Sequence, residues 1–287
     1  MNLEIIAVYE NLDGYIMEME KDKGNCEALW DKYAIKPYWE KISQYAPFDM
    51  SDRKPKPIKN IDKLKEQIKL LKELKLDMLR KKLLEVMDAL PNYDDDPITV
   101  AIYPIDDDNV IVKEQQNGVL GVNMFGNMLL NVNPLAENYL HWIPYVFAHE
   151  YHHTVWGNYW MVVHGGRTGS FIESLLIDGQ ADAFAISLNP ALEMPAWISQ
   201  ISKEQEKELW NTHYCKLLYE IDYDYVKYMF GDDEAGIPWC AGYFFGYQII
   251  DSFRKLHRSI NFKSMLEMSS EEIFAMSEYP KGTFRLA

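Results

Sequence analysis

Residues 146 to 156, Val146-Phe147-Ala148-His149-Glu150-Tyr151-His152-His153-Thr154-Val155-Trp156, limit what this chain can become more than any other stretch. The flanks are apolar, as in a buried helix, yet the stretch carries three histidines and a glutamate that are costly to bury without partners. His149 and His153 are four residues apart. On a helix their imidazoles project from one side, one turn apart, and can reach a single metal ion. Glu150 then lies beside the ion, where a carboxylate can take a proton from a water that the metal has acidified; this is the HExxH arrangement. His152 falls off that face and reads as a structural or supporting residue.

A catalytic zinc site uses three protein ligands and keeps one position open, so the two histidines need a companion. Residues 170 to 184 supply a second apolar helix with three acids in it. Glu173 stands three residues after Ser170 and is accounted for by a capping box. Asp178 and Asp182 are four apart and share a face. One carboxylate on the metal and the next holding a ligand histidine by its other ring nitrogen is a known arrangement. This assigns Asp178 as the third ligand and Asp182 as the residue that orients His149. Gly179 beside Asp178 allows a close approach of backbone.

The remaining chain is read around these two helices. In residues 3 to 50 a short apolar run precedes an aromatic segment with helical spacing. Asn60 stands at an N-cap position ahead of a long amphipathic pattern from Ile61 to Leu90, ended by Pro91. Twelve Lys or Arg against seven Asp or Glu make residues 51 to 90 locally basic; a solvated outer face explains this. After Asp94-Asp95-Asp96, the run from Ile98 to Tyr103 reads as a strand, and Gly118–Phe125 and Asn127–Val132 read as two more, with Gly126 in the turn between them. The acidic triplets at 94–96 and 106–108 lack calcium-loop spacing and read as solvated turns. The strand at 127–132, shortly before the metal helix, is the expected sheet edge along which an extended substrate would pair. Pro144 fits the first turn of the helix that carries His149. Residues 191 to 235 look helical and aromatic, and a last apolar helix comes after Pro238.

The totals exclude several classes. A net charge of −15 argues against a nucleic-acid partner. Three cysteines, widely spaced and odd in number, indicate neither a disulfide framework nor a thiolate zinc site. No basic amino-terminal region precedes a signal-length apolar run, and no window is long enough to span a bilayer, so a soluble cytoplasmic protein without membrane insertion is expected.

Three blocks, His149-Glu150-Tyr151-His152-His153, then Asp178-Gly179-Gln180-Ala181-Asp182, then Pro238 to Tyr247, resemble the YjaZ-like family of predicted zinc-dependent proteases (domain of unknown function 2268) over residues 97 to 255. The layout is similar to the gluzincins, in which a glutamate on the second helix completes the site. The resemblance implies Glu-Gly at the third ligand, where this chain has Asp178-Gly179. It also implies that the last block lies near the site, where a hydroxyl could donate to the developing oxyanion; Tyr243 is the first candidate and Tyr247 the second.

The expectation is therefore an α+β, mostly helical protein: a helical amino-terminal region over 1–96 and a zincin-like catalytic domain over 97–287, with a small sheet and an active-site helix. One zinc per chain, held by His149, His153 and Asp178, and Glu150 as general base would hydrolyse a peptide or protein substrate. The alternative is a catalytically inactive zincin scaffold with a structural or regulatory metal and a binding role, which the aspartate at 178 favours.

Overall fold

The β-branched run beginning at Ile98 lies inside a sheet, as its composition demands, for all seven residues of the strand it forms are buried. The fold was established from a computed structural model, which describes residues 2–21 and 23–280. The chain divides into two compact units, Met1–Thr154 and Val155–Ala287.

The first unit is built on four strands, β1 (Leu3–Ala7), β2 (Ile98–Pro104), β3 (Val119–Met124) and β4 (Asn127–Val132), in the order β1-β2-β4-β3. β1 and β4 run parallel to β2, and β3 is antiparallel to β4. The turn expected at Gly126 is present: Phe125 and Gly126 both have positive φ, 57° and 124°, as a tight two-residue hairpin requires. Strand order corrects one expectation. β4 is interior, buried along its whole length, and the edges are β3 and β1. The reason is non-local: the hairpin folds back so that β4, which is wholly apolar but for two asparagines, takes the covered place beside β2. Asn127 is satisfied there, accepting from the Thr99 amide at 2.8 Å and donating to the carbonyls of Lys41 and Ile42.

Between β1 and β2 lie α1 (Asp13–Lys21), α2 (Ile61–Leu71) and α3 (Leu76–Ala89). The single long helix expected over 61–90 is two. Asn60 caps α2 as anticipated, its side chain accepting from the Lys63 amide at 3.1 Å. The buried stripe Ile61, Leu64, Ile68, Leu71 then meets Lys75 and the exposed Met78, and burial resumes at Leu83, Val86 and Met87, on a rotated face. A straight helix cannot bury both stripes, so the chain bends at 72–75. Because β1 pairs with β2, residues on either side of position 96 share one sheet. The acidic triplets do form turns, with Asp94 accepting from the Asp96 amide and Asp106 from the Asp108 amide.

The metal helix is α4 (Tyr139–Gly157), which begins before Pro144 and contains it. Proline there removes a helical bond to the Leu140 carbonyl, and Leu140 is half exposed, so that carbonyl can meet water. Tyr151 fixes the middle of the helix by donating to the Leu90 carbonyl at 3.0 Å.

The second unit is helical: α5 (Phe171–Leu188), α6 (Lys203–Thr212), α7 (Tyr225–Phe230), α8 (Ala241–Leu256) and α9 (Ser270–Ser277). α5 and α8 pack backbone to backbone. A Cβ on Gly179 would lie 2.2 Å from the carbonyl carbon of Gly246, and one on Gly246 would lie 2.0 Å from the Leu175 oxygen. Around them Phe171, Leu175, Trp210, Tyr214, Phe245 and Phe253 form the core. Of the aromatic residues between 191 and 235, Trp210 and Tyr214 are buried, whereas Tyr219 and Tyr225 are exposed.

Candidate metal centre

An apolar helix such as α4 hides its polar residues only on a face where they have work to do. His149 and His153 occupy one such face, both partly buried, with ring centroids 4.7 Å apart and planes at 83°. Their Nε2 atoms are 3.0 Å apart. Asp178, on the buried side of α5, offers the third atom. The two imidazole nitrogens and a carboxylate oxygen all lie within 4.8 Å of one another.

The donor set was tested against the ion the pattern implies. Zinc bonded at about 2.0–2.2 Å to tetrahedral ligands would hold them about 3.3 Å apart. The imidazole pair is already near that separation and the carboxylate is close enough to share the same ion. Two nitrogens with one carboxylate suit zinc chemically, and three protein donors leave a fourth coordination position for water. The residues fit.

The remaining candidates sit on α4, α5 and α8. Glu150 is half-buried and lies over β3, with its Cγ and Oε1 each 2.5 Å from where a Cβ on Gly121 would stand. Asp182 is fully buried on α5 and accepts from the Trp197 indole at 2.9 Å. Tyr243 is partly buried on α8, its ring 5.7 Å from that of Phe230. Tyr247, one turn on, is pushed up to about 12 by burial first and then by the negative charges of Asp251 and Asp182, with Arg254 opposing. Burial also pushes the Cys240 thiol up, and Asp182 and Asp178 add to it. His152 is fully buried, its ring 6.4 Å from that of His153.

Glu173 departs from its expected role. The Ser170 side chain makes no capping bond; the Glu173 carboxylate instead reaches back to the amides of Thr168 at 3.0 Å and Gly169 at 2.7 Å, with Arg167 beside it. It orders the loop that enters α5, which keeps it away from metal binding all the same.

Residues 77–275 match the DUF2268 family, described as a predicted Zn-dependent protease. The chain belongs to this family. A stretch of 145 residues is 30% identical to the uncharacterized protein YjfC of Bacillus subtilis (strain 168), covering 44% of this chain and 44% of that protein, so less than half of the relative's length is matched. No solved structure matches the chain.

In this DUF2268 protein the residue that departs from the expected glutamate, Asp178, still reaches the histidine pair. The Gly179–Gly246 contact carries α5 hard against α8 at the residue next to it. Among the described residues no helix is long and apolar enough to cross a membrane. Sequence reasoning did not single out Gly121 and Asn123, which face Glu150 from β3. A glycine inside a strand run is the signal that would have found the first, since it marks a close approach.

Proposed function

We propose that this protein is a zinc-dependent metallopeptidase that binds one zinc ion per chain through His149, His153 and Asp178. The observation that carries the proposal is the convergence of those three ligand atoms, with Glu150 on the same helix as two of them. When bound, zinc supplies Lewis acidity toward water and the substrate carbonyl. The chain's own residues do the rest. The Glu150 carboxylate takes a proton from the attacking water as its oxygen bonds to the peptide carbonyl carbon. It then delivers that proton to the amine nitrogen as the C–N bond breaks, so no net charge is left on the protein. A hydroxyl from Tyr243, or failing that Tyr247, donates to the oxyanion. Asp182, already held by Trp197, keeps the outer nitrogen of His149 in place.

The substrate is a peptide or protein in extended form. β3 is an edge strand of the sheet, beside the helix that carries the base, and main-chain pairing along it orients a substrate without regard to its side chains. The net charge of −15 argues against nucleic acid. Three free cysteines, Cys26, Cys215 and Cys240, suit a reducing compartment, and the cytoplasm is the proposed location.

A second reading, a metal-supported binding scaffold without turnover, is favoured by the aspartate at 178. Digestion of a peptide library by the zinc-loaded protein and by Glu150→Gln separates the two. Cleavage by the parent alone supports the peptidase. A zinc-loaded parent that cleaves nothing supports the scaffold.

A further inference from the structure

We infer that Gly121 and Asn123 on the edge strand β3 position the Glu150 carboxylate; this rests on the reading of Glu150 as the group that moves the proton. The two residues are i and i+2 on one strand and therefore share a face, which is turned toward α4.

Gly121 acts by what it lacks. An added Cβ would stand 2.5 Å from both Cγ and Oε1 of Glu150 and 2.6 Å from Cγ1 of Val146. The space a side chain would fill is thus taken by the carboxylate, which lies on the strand backbone. Two of the three nearest atoms, Cγ and Oε1, belong to Glu150, so a methyl group there displaces the side chain of the base, and Val146 beside it.

Asn123 acts on the same residue through its main chain. Its Nδ2 donates to the Glu150 carbonyl at 2.8 Å and to the Thr154 hydroxyl at 2.8 Å. Its Oδ1 accepts from the Phe125 amide at 2.9 Å, in the hairpin turn. With the oxygen committed to an N–H, the amide cannot be reversed, so both donors must face α4. The turn at Phe125 thereby fixes the carboxamide, and the carboxamide fixes the carbonyl of the base.

Side chain and main chain of Glu150 are thus both registered to β3. If an extended substrate pairs along that strand, base and scissile bond are measured from the same backbone. A generic helix-to-sheet contact would need neither a vacancy beneath the carboxylate nor a bond to that one carbonyl.

The test uses zinc-loaded parent, Gly121→Ala and the isosteric Asn123→Asp, which removes both donors and sets a carboxylate against a carbonyl. Crystal structures report the Glu150 carboxylate, elemental analysis reports zinc, and a quenched peptide cleaved by the parent reports kcat and KM separately. The expected result is a carboxylate displaced by about 1 Å or more in Gly121→Ala, unchanged zinc, and kcat lower by about 10²-fold with KM within about twofold. Asn123→Asp should lower kcat with zinc retained, and it carries the test should Gly121→Ala not fold. A carboxylate in its parental position in both variants, or kcat unchanged in both, overturns the inference. If the parent cleaves no peptide, the peptidase reading fails by itself, and the position of the carboxylate still decides whether these residues hold Glu150.

Discussion

Gly121 on β3 and Gly179 on α5 both leave out a side chain so that something else can come close, yet what comes close differs. Over Gly121 it is side chains, the Cγ and carboxylate Oε1 of Glu150 and the Cγ1 of Val146. Over Gly179 it is the backbone of Gly246, which in turn meets the Leu175 carbonyl. Side chains can turn aside at less cost to folding than two helix backbones, which can only be pushed apart. The first glycine therefore leaves room for the Glu150 side chain and the second for a pair of helix backbones. Here the residue type alone says nothing about role; the identity of the intruding atom does.

Glu150→Gln sets the upper limit for any effect on the chemistry. It should lower peptide turnover by about 10³-fold or more while zinc content stays at the parent level, as read by steady-state rates beside elemental analysis. A variant as fast as the parent would remove the base from the account and, with it, the functional meaning of Gly121.

Gly246→Val is the corresponding blow to the fold. Overpacking a backbone contact should cost about 3 kcal/mol or more, read as a lower urea midpoint. Gly121→Ala, under the same titration, should stay within about 1 kcal/mol of the parent. Equal losses at the two positions would erase the contrast between them.

Trp197→Phe sharpens the account on the α5 side. It removes the donor that Asp182 accepts from, inside a fully buried setting, and should cost about 1–3 kcal/mol in the same measurement.

Asp107→Asn should give the smallest change. The Asp107 carboxyl is held below its ordinary range by the Asn133 amide first and by Lys113, so its charged form stabilises the folded state. That contribution is fully present above the ordinary carboxylate pKa and is lost as the pH falls through the lowered value. The variant should trail the parent slightly at neutral pH in urea midpoints, and the gap should close on acidification. A gap that widens on acidification would reverse the sign of the argument.

The candidate metal cluster was legible because it depends on short spacings. His149 and His153 come from helical geometry, and Asp178 from the need for a third ligand on a second apolar helix. The capping of α2 by Asn60 and the hairpin at Gly126 are local in the same way. The features that stayed hidden are set by partners distant in the chain. The interior place of β4 depends on how the hairpin folds against β2, and no pattern within 127–132 carries that information. The break at 72–75 depends on two buried stripes facing different neighbours. Glu173 met its backbone partners at Thr168 and Gly169 instead of forming the box with Ser170, because the loop ahead of α5 turns back toward it. Gly121 and Asn123 gained their meaning only when β3 was found beside α4.

The most direct test of the central claim is elemental analysis of the protein purified without chelators, beside His149→Ala/His153→Ala and Asp178→Ala. The account predicts about one zinc per chain in the parent, none in the histidine variant and strongly reduced occupancy in the aspartate variant. A parent that takes up no zinc even when offered it, or a histidine variant that holds as much as the parent, would contradict it.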